Sequence, residues 1–249
     1  VLTGPVVDTE SALEFQREIT RRLSEAELRA IAGELRRKCD AMGHLLKDAS
    51  RLDRDGLKEV LGWVFSTRRR ADELLDAIGP GLLGSAIAEL LDKGEPVADR
   101  FEHFDATIRT HLGPRLLPGA RFDLGGELLH FSEPDRYWLW TRWIWDPDTG
   151  TGALGLVTTD HSELGSGLGK GATYLAVGRA MAFVDETGKA AGFTAAGPGL
   201  LGLDVLLAAV YGIYMYTVLQ MRMTREFSRV LPPLADLVRR LLGVQHLEA

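Results

Sequence analysis

The sequence predicts a mainly α protein: a single compact multi-helix domain of about eight to ten helices, with at most a short strand pair near 152–158. Three observations predict it. Apolar residues recur at three- and four-residue spacing along most of the chain. Capping residues stand where these runs begin. Gly- and Pro-containing stretches separate them.

Each element follows in order. Residues 8–47 read as helices, with Leu23, Leu28, Ile31 and Leu35 at helical spacing. Asp8 or Ser11 can cap the first. Ser24 with Glu27 three residues on is a capping box, so a second helix starts there. Residues 53–77 read as one further helix carrying Arg68, Arg69 and Arg70. IGPGLLGS at 78–85 ends it and SAIAELLDKG begins the next. Pro96 opens a helix that runs to Gly113. Pro114, Pro118 and Gly119 mark a junction. Residues 1–113 carry 17 Lys/Arg against 21 Asp/Glu, and the remainder carries 12 against 14 over a longer stretch. A charged N-terminal helical layer over 1–113 and an aromatic, apolar helical region over 114–249 are expected, in one continuous domain. Residues 122–131 read as a helix despite Gly125 and Gly126. Pro134 then suits the first turn of another, ending near Asp146 before the Pro147–Gly150 turn. Helices follow at 172–188, at 203–223 and, after Pro232–Pro233, at 234–244 with Gly243 as the stop. The most apolar run, 205–219, is shorter than the ~20 residues that span a bilayer, so a buried core helix and no membrane span are expected.

Composition narrows the function classes. A net charge of −6 and a pI near 5.6 disfavour a mainly electrostatic nucleic-acid binder. The single cysteine, Cys39, cannot make an internal disulfide, and Cys/His zinc patterns are absent. This fits a cytoplasmic setting, and the N-terminus lacks the features of a signal peptide. GSGLGKGAT suggests phosphate binding, but a P-loop needs a glycine at Leu164 and Ser or Thr at Gly171. Asp160, His161 and Ser162 lack a nucleophile elbow. His103 and His111 stand two turns apart, not the one turn of a helical metal pair. No metal and no cofactor are expected.

The stretch 128–150 holds four of the five tryptophans, Trp138, Trp140, Trp143 and Trp145. On a helix over 134–146, Trp138 and Trp145 share a face while the others point elsewhere. An element aromatic nearly all round is expected at the centre of a fold. LLHFSEPDRYWLW resembles a motif of helical DNA-glycosylase-like proteins and their helix-hairpin-helix relatives. Leu129-His130-Phe131, Pro134-Asp135, Tyr137, Leu139 and Trp140 carry the match, and 172–193 with the helix starting at Leu203 is similar to the end of such domains. The motif's lysine falls at Glu127, its aspartate at Thr141 and its second proline at Trp138. The resemblance therefore implies an inherited helical scaffold without that chemistry, with His130 structural.

The function expected is a non-catalytic helical interaction or scaffold subunit of a bacterial multiprotein system, with a protein partner or a second copy. Trp140, Trp143, Arg142 and His130 are its candidate contacts, and the 203–221 helix is the candidate pairing surface. Nucleic-acid binding is the alternative, through Arg68, Arg69 and Arg70 or through Arg222, Arg225 and Arg229, spaced along one helix face. A small-molecule enzyme with a Trp-lined pocket is the third reading.

Overall fold

A computed structural model describes residues 7–116, 122–164, 168–190, 199–222 and 232–245. Among them the fold is mainly α: eleven α-helices, two 3-10 turns, and two isolated bridges, Val7 with Thr158 and Asp146 with Thr151. The helices are α1 (Thr9–Arg22), α2 (Glu25–Leu45), α3 (Arg54–Trp63), α4 (Ala71–Ile78), α5 (Pro80–Leu91), α6 (Val97–His111), α7 (Phe122–Ser132), the single turn α8 (Leu154–Val157), α9 (Lys170–Ala190), α10 (Leu200–Arg222) and α11 (Leu234–Leu242). A one-turn helix therefore fills most of the stretch read as a strand pair. The junction residues Pro118 and Gly119 lie outside the described residues.

The cap signals form as read. The Asp8 carboxylate accepts the Ser11 amide at 3.1 Å. Ser24 and Glu27 close a reciprocal box, the Ser24 amide donating to Oε2 of Glu27 at 2.7 Å and the Glu27 amide to the Ser24 hydroxyl at 3.2 Å. Gly243 ends α11 in the left-handed region at φ 69°.

Two elements differ from the sequence reading. The 53–77 helix is broken after Trp63: Val64 turns to extended backbone, and α4 restarts at Ala71. One local and one distant partner compensate the lost helical bonds. The Thr67 hydroxyl donates back to the Leu61 carbonyl at 2.9 Å, and the Phe65 amide donates to Glu127 of α7 at 3.1 Å. The helix expected over 134–146 is absent. Pro134–Arg136 is a turn, 138–141 runs without helical bonds, and 142–144 turns again. The cause is close packing. A Cβ on Gly126 would lie 2.0 Å from the Trp140 carbonyl oxygen, so this chain is laid directly on the α7 backbone. A helix would carry the Trp140 backbone away from that groove.

The chain folds as two interleaved compact units. Unit 1 comprises Val1–Arg36, Arg142–Glu163 and Arg179–Ala249; unit 2 comprises Arg37–Thr141 and Leu164–Gly178. The compositional change at 113/114 thus falls inside unit 2. In unit 1, α10 packs against α1, α8 and α11. A two-pronged ion pair from Arg239 to Glu34, at 2.8 and 3.0 Å, ties α11 to α2 there. In unit 2, α5 is central, touching α3, α4, α6, α7 and the 3-10 turn Leu46–Arg51. Gly79, at φ 86°, makes the sharp corner between α4 and α5, which meet at 96°. The α10 helix is longer than the apolar run suggests. Leu200–Val218 is long and apolar enough to cross a bilayer, and 61% of its most apolar window is buried in protein.

The packing predicts opposite outcomes for two helical glycines. Gly126→Ala should cost about 3 kcal/mol or more, because the clash is with backbone that cannot rotate away. Gly33→Ala, where a Cβ meets nothing, should raise stability by roughly 0.5–1 kcal/mol. Denaturant unfolding of the two variants measures both.

Candidate functional site

The chemically richest place in unit 2 is a buried charge cluster. Lys38 on α2 and Glu127 on α7 face each other with Nζ and Oε2 3.5 Å apart, their side chains 0% and 3% exposed. The Phe65 amide donates to the same Oε2, while Oε1 is buried with no hydrogen-bond partner. The ammonium also lies 3.7 Å from the centroid of the Phe131 ring. Burial pushes the Lys38 amine down from its usual range, against the pull of Glu127. Burial likewise pushes the Glu127 carboxyl up; Lys38 opposes this and Asp123, one turn earlier on α7, adds to it. The pair can bridge elements and share a proton, but both groups are sealed from solvent.

An aromatic box adjoins it. Trp140 is fully buried, stacked on Phe122 at 4.2 Å and 11° and tilted against Phe101 at 5.4 Å. Phe101 stacks in turn on Tyr174 of α9 at 5.0 Å. His130, also fully buried, donates from Nδ1 to the Tyr137 carbonyl at 2.8 Å, so like Trp140 it presents no surface to a partner. Arg100 is buried too. It donates to the carbonyls of Leu90 and Glu95 and to the Tyr137 hydroxyl.

The other tryptophans take different environments. Trp138 is half-buried, its ring pressed on Gly178, where a Cβ would meet Cδ1 at 2.6 Å. Trp143 and Trp145 belong to unit 1. Both are buried; Trp143 lies 6.3 Å from the Tyr211 ring and Trp145 lies 5.3 Å from His161. Without the expected helix, Trp138 and Trp145 do not share a helix face. Arg142 is half-buried. Three recesses among the described residues have other linings, none of them a tryptophan.

The remaining candidates are scattered. Arg68, Arg69 and Arg70 sit on or beside the turn between α3 and α4, with Arg69 exposed. Arg222 ends α10, and Arg225 and Arg229 lie outside the described residues. Lys170 begins α9 with its amine 5.2 Å from the Phe122 ring centroid, and the Gly171 amide is taken by Glu102 of α6 at 2.9 Å. That helix start therefore holds a carboxylate of the chain itself. His161 donates to the Thr158 carbonyl, His111 to that of Thr107, and Cys39 is buried. No group of three metal-ligating side chains occurs among the described residues. No protein-family model, curated protein or solved structure matches the chain.

Lys38 escaped the sequence reading because its neighbours are charged. The signal was its place in the stripe Ile31, Leu35, Met42, all fully buried, three residues after Leu35 and four before Met42. Glu127→Ala alone should cost about 3–5 kcal/mol by stranding the ammonium, whereas Lys38→Met with Glu127→Leu should be close to neutral or stabilising. The sign of the pH dependence follows from both shifts. A raised Glu127 makes the folded state lose stability as pH rises above 4.5, and a lowered Lys38 lets it regain stability as pH approaches 10.5. Relative to the double variant, the wild type should therefore be weakest between those limits, as urea titrations across pH can measure.

Proposed function

We propose that the chain is a non-catalytic helical interaction subunit that binds a protein partner through the outer face of α10. The observation that carries this reading is the contrast between the two halves of that helix. From Leu201 to Val210 every residue is buried except the half-buried Leu206. From Tyr211 the helix turns outward, with Tyr214 38% exposed and Tyr211, Met215 and Tyr216 half-buried. Trp143, Tyr211 and Tyr214 form a ladder, the latter two rings 5.9 Å apart, that anchors the exposed tyrosine from below. Aromatic and Met side chains held rigidly at a surface are what the cores of protein interfaces are enriched in. Beside them a recess of about 450 Å³ opens between α1 and α10, lined among others by Phe15, Arg17, Arg21, Ile213 and Thr217.

The resemblance of 128–140 to glycosylase-like domains enters this proposal as scaffold only. The position of the motif's lysine holds Glu127, whose charge Lys38 opposes inside the core. The position of its aspartate holds Thr141, a buried hydroxyl with no hydrogen-bond partner. Neither supplies an amine nucleophile or a carboxylate open to substrate.

Tyr214→Glu, at an exposed position, should leave folding intact and abolish the complex or oligomer formed by the wild type. Light scattering on size-exclusion eluates, with crosslinking at α10, reads this directly. A wild-type protein that is strictly monomeric and co-purifies with nothing would overturn the proposal.

A further inference from the structure

A second surface, in unit 2 and separate from α10, carries its own inference. We propose that the corner where Arg70 and Arg115 meet at Glu73, with Arg68 and Arg69 on the adjoining turn, docks an acidic segment of a partner protein. The break between α3 and α4 builds this corner. It places three successive arginines around a turn whose Phe65 amide is pinned by Glu127 and whose Thr67 hydroxyl is pinned to Leu61. Arg115, from the turn after α6, joins them because Arg70 Nη1 donates to its carbonyl at 2.8 Å. Arg68 lies 4.5 Å over the half-buried Phe65 ring, which supports its guanidinium plane.

The corner already holds a carboxylate. Arg70 and Arg115 flank the same oxygen of Glu73 at 3.4 and 3.7 Å. Charge-assisted bonds of this kind close to about 2.7–2.9 Å when unconstrained, so Glu73 is a loose occupant. It is 45% exposed and Arg115 is 83% exposed, leaving room for a competing carboxylate with better geometry. Neighbouring acids are engaged elsewhere: Asp76 pairs with Arg54 and Asp72 with Lys58, each at 2.7 Å. Arginine clusters that clamp carboxylates are a known mode of acidic-segment recognition. A net charge of −6 repels a long nucleic acid more than a short acidic segment, which favours protein as the partner.

A fluorescent decaglutamate peptide tests the assignment by anisotropy at low and high salt. The wild type should bind it at about 50 mM salt and much more weakly at about 500 mM. Arg69→Ala with Arg115→Ala, both exposed, should weaken binding by about fivefold to tenfold at low salt with circular dichroism unchanged. Glu73→Gln should tighten it several-fold by removing the internal competitor. Tyr214→Glu should leave it unchanged, which separates this surface from the α10 face. An arginine variant that binds like the wild type, or a Glu73→Gln variant that fails to tighten, overturns the proposal. So does an oligothymidylate of equal charge that outbinds the peptide, which would make the corner a nucleic-acid surface instead.

Discussion

One buried ion pair, Lys38 with Glu127, joins three elements of unit 2. Removing Lys38 and Glu127 from water costs several kcal/mol for each charge, and their attraction at 3.5 Å offsets only part of this, since Oε1 of Glu127 has no hydrogen-bond partner. The Glu127 carboxylate meets α2 through Lys38 and the α3–α4 turn through the Phe65 amide. That amide is free to leave its helix because an acceptor waits for it on α7. A mid-chain break in a helical pattern thus becomes cheap, and the turn that results carries Arg68, Arg69 and Arg70.

The same helix, α7, shapes the aromatic segment. Its two glycines remove side chains where other elements must come close. A Cβ on Gly125 would stand 3.2 Å from the rings of Phe101 and Phe104, and one on Gly126 would strike the Trp140 backbone. Aromatic surface from α6 and from 137–140 therefore reaches the α7 backbone itself. The Trp140 indole is buried by a wrapped chain, with the backbone carbonyls of Tyr137 and Trp138 serving as acceptors for His130 and Tyr174.

Local signals in the sequence were legible wherever they are local in the structure. The Asp8 cap, the Ser24–Glu27 box and the Gly243 stop need only residues within one turn, and each formed as read. Burial of Trp140, Trp143 and Trp145 was also legible, because their apolar area has few other places to go, while Trp138 is only half-buried. The failures share a cause. Whether 134–146 is helix, or whether Trp63 ends one, depends on groups outside the segment itself: Gly126 and Glu127 of α7 as partners of Trp140 and Phe65. Periodicity carries no information about such partners. The arginine corner was half legible. Arg68, Arg69 and Arg70 stand side by side in sequence, while Arg115 and the clamp on Glu73 exist only through the fold.

The interleaving of the two units bears on how the chain assembles during synthesis. Unit 2 lacks only Leu164–Gly178 once the first 141 residues have been made. Unit 1 must wait far longer. Its α1 finds α10 only after residue 200, and its Glu34–Arg239 bridge closes a loop between residues 205 apart. Contacts of such sequence separation form late and slowly, since chain entropy is spent before they stabilise anything. The emerging protein can therefore pair α1 first with the single turn α8, and closes α1 on α10 only when almost the whole chain is present.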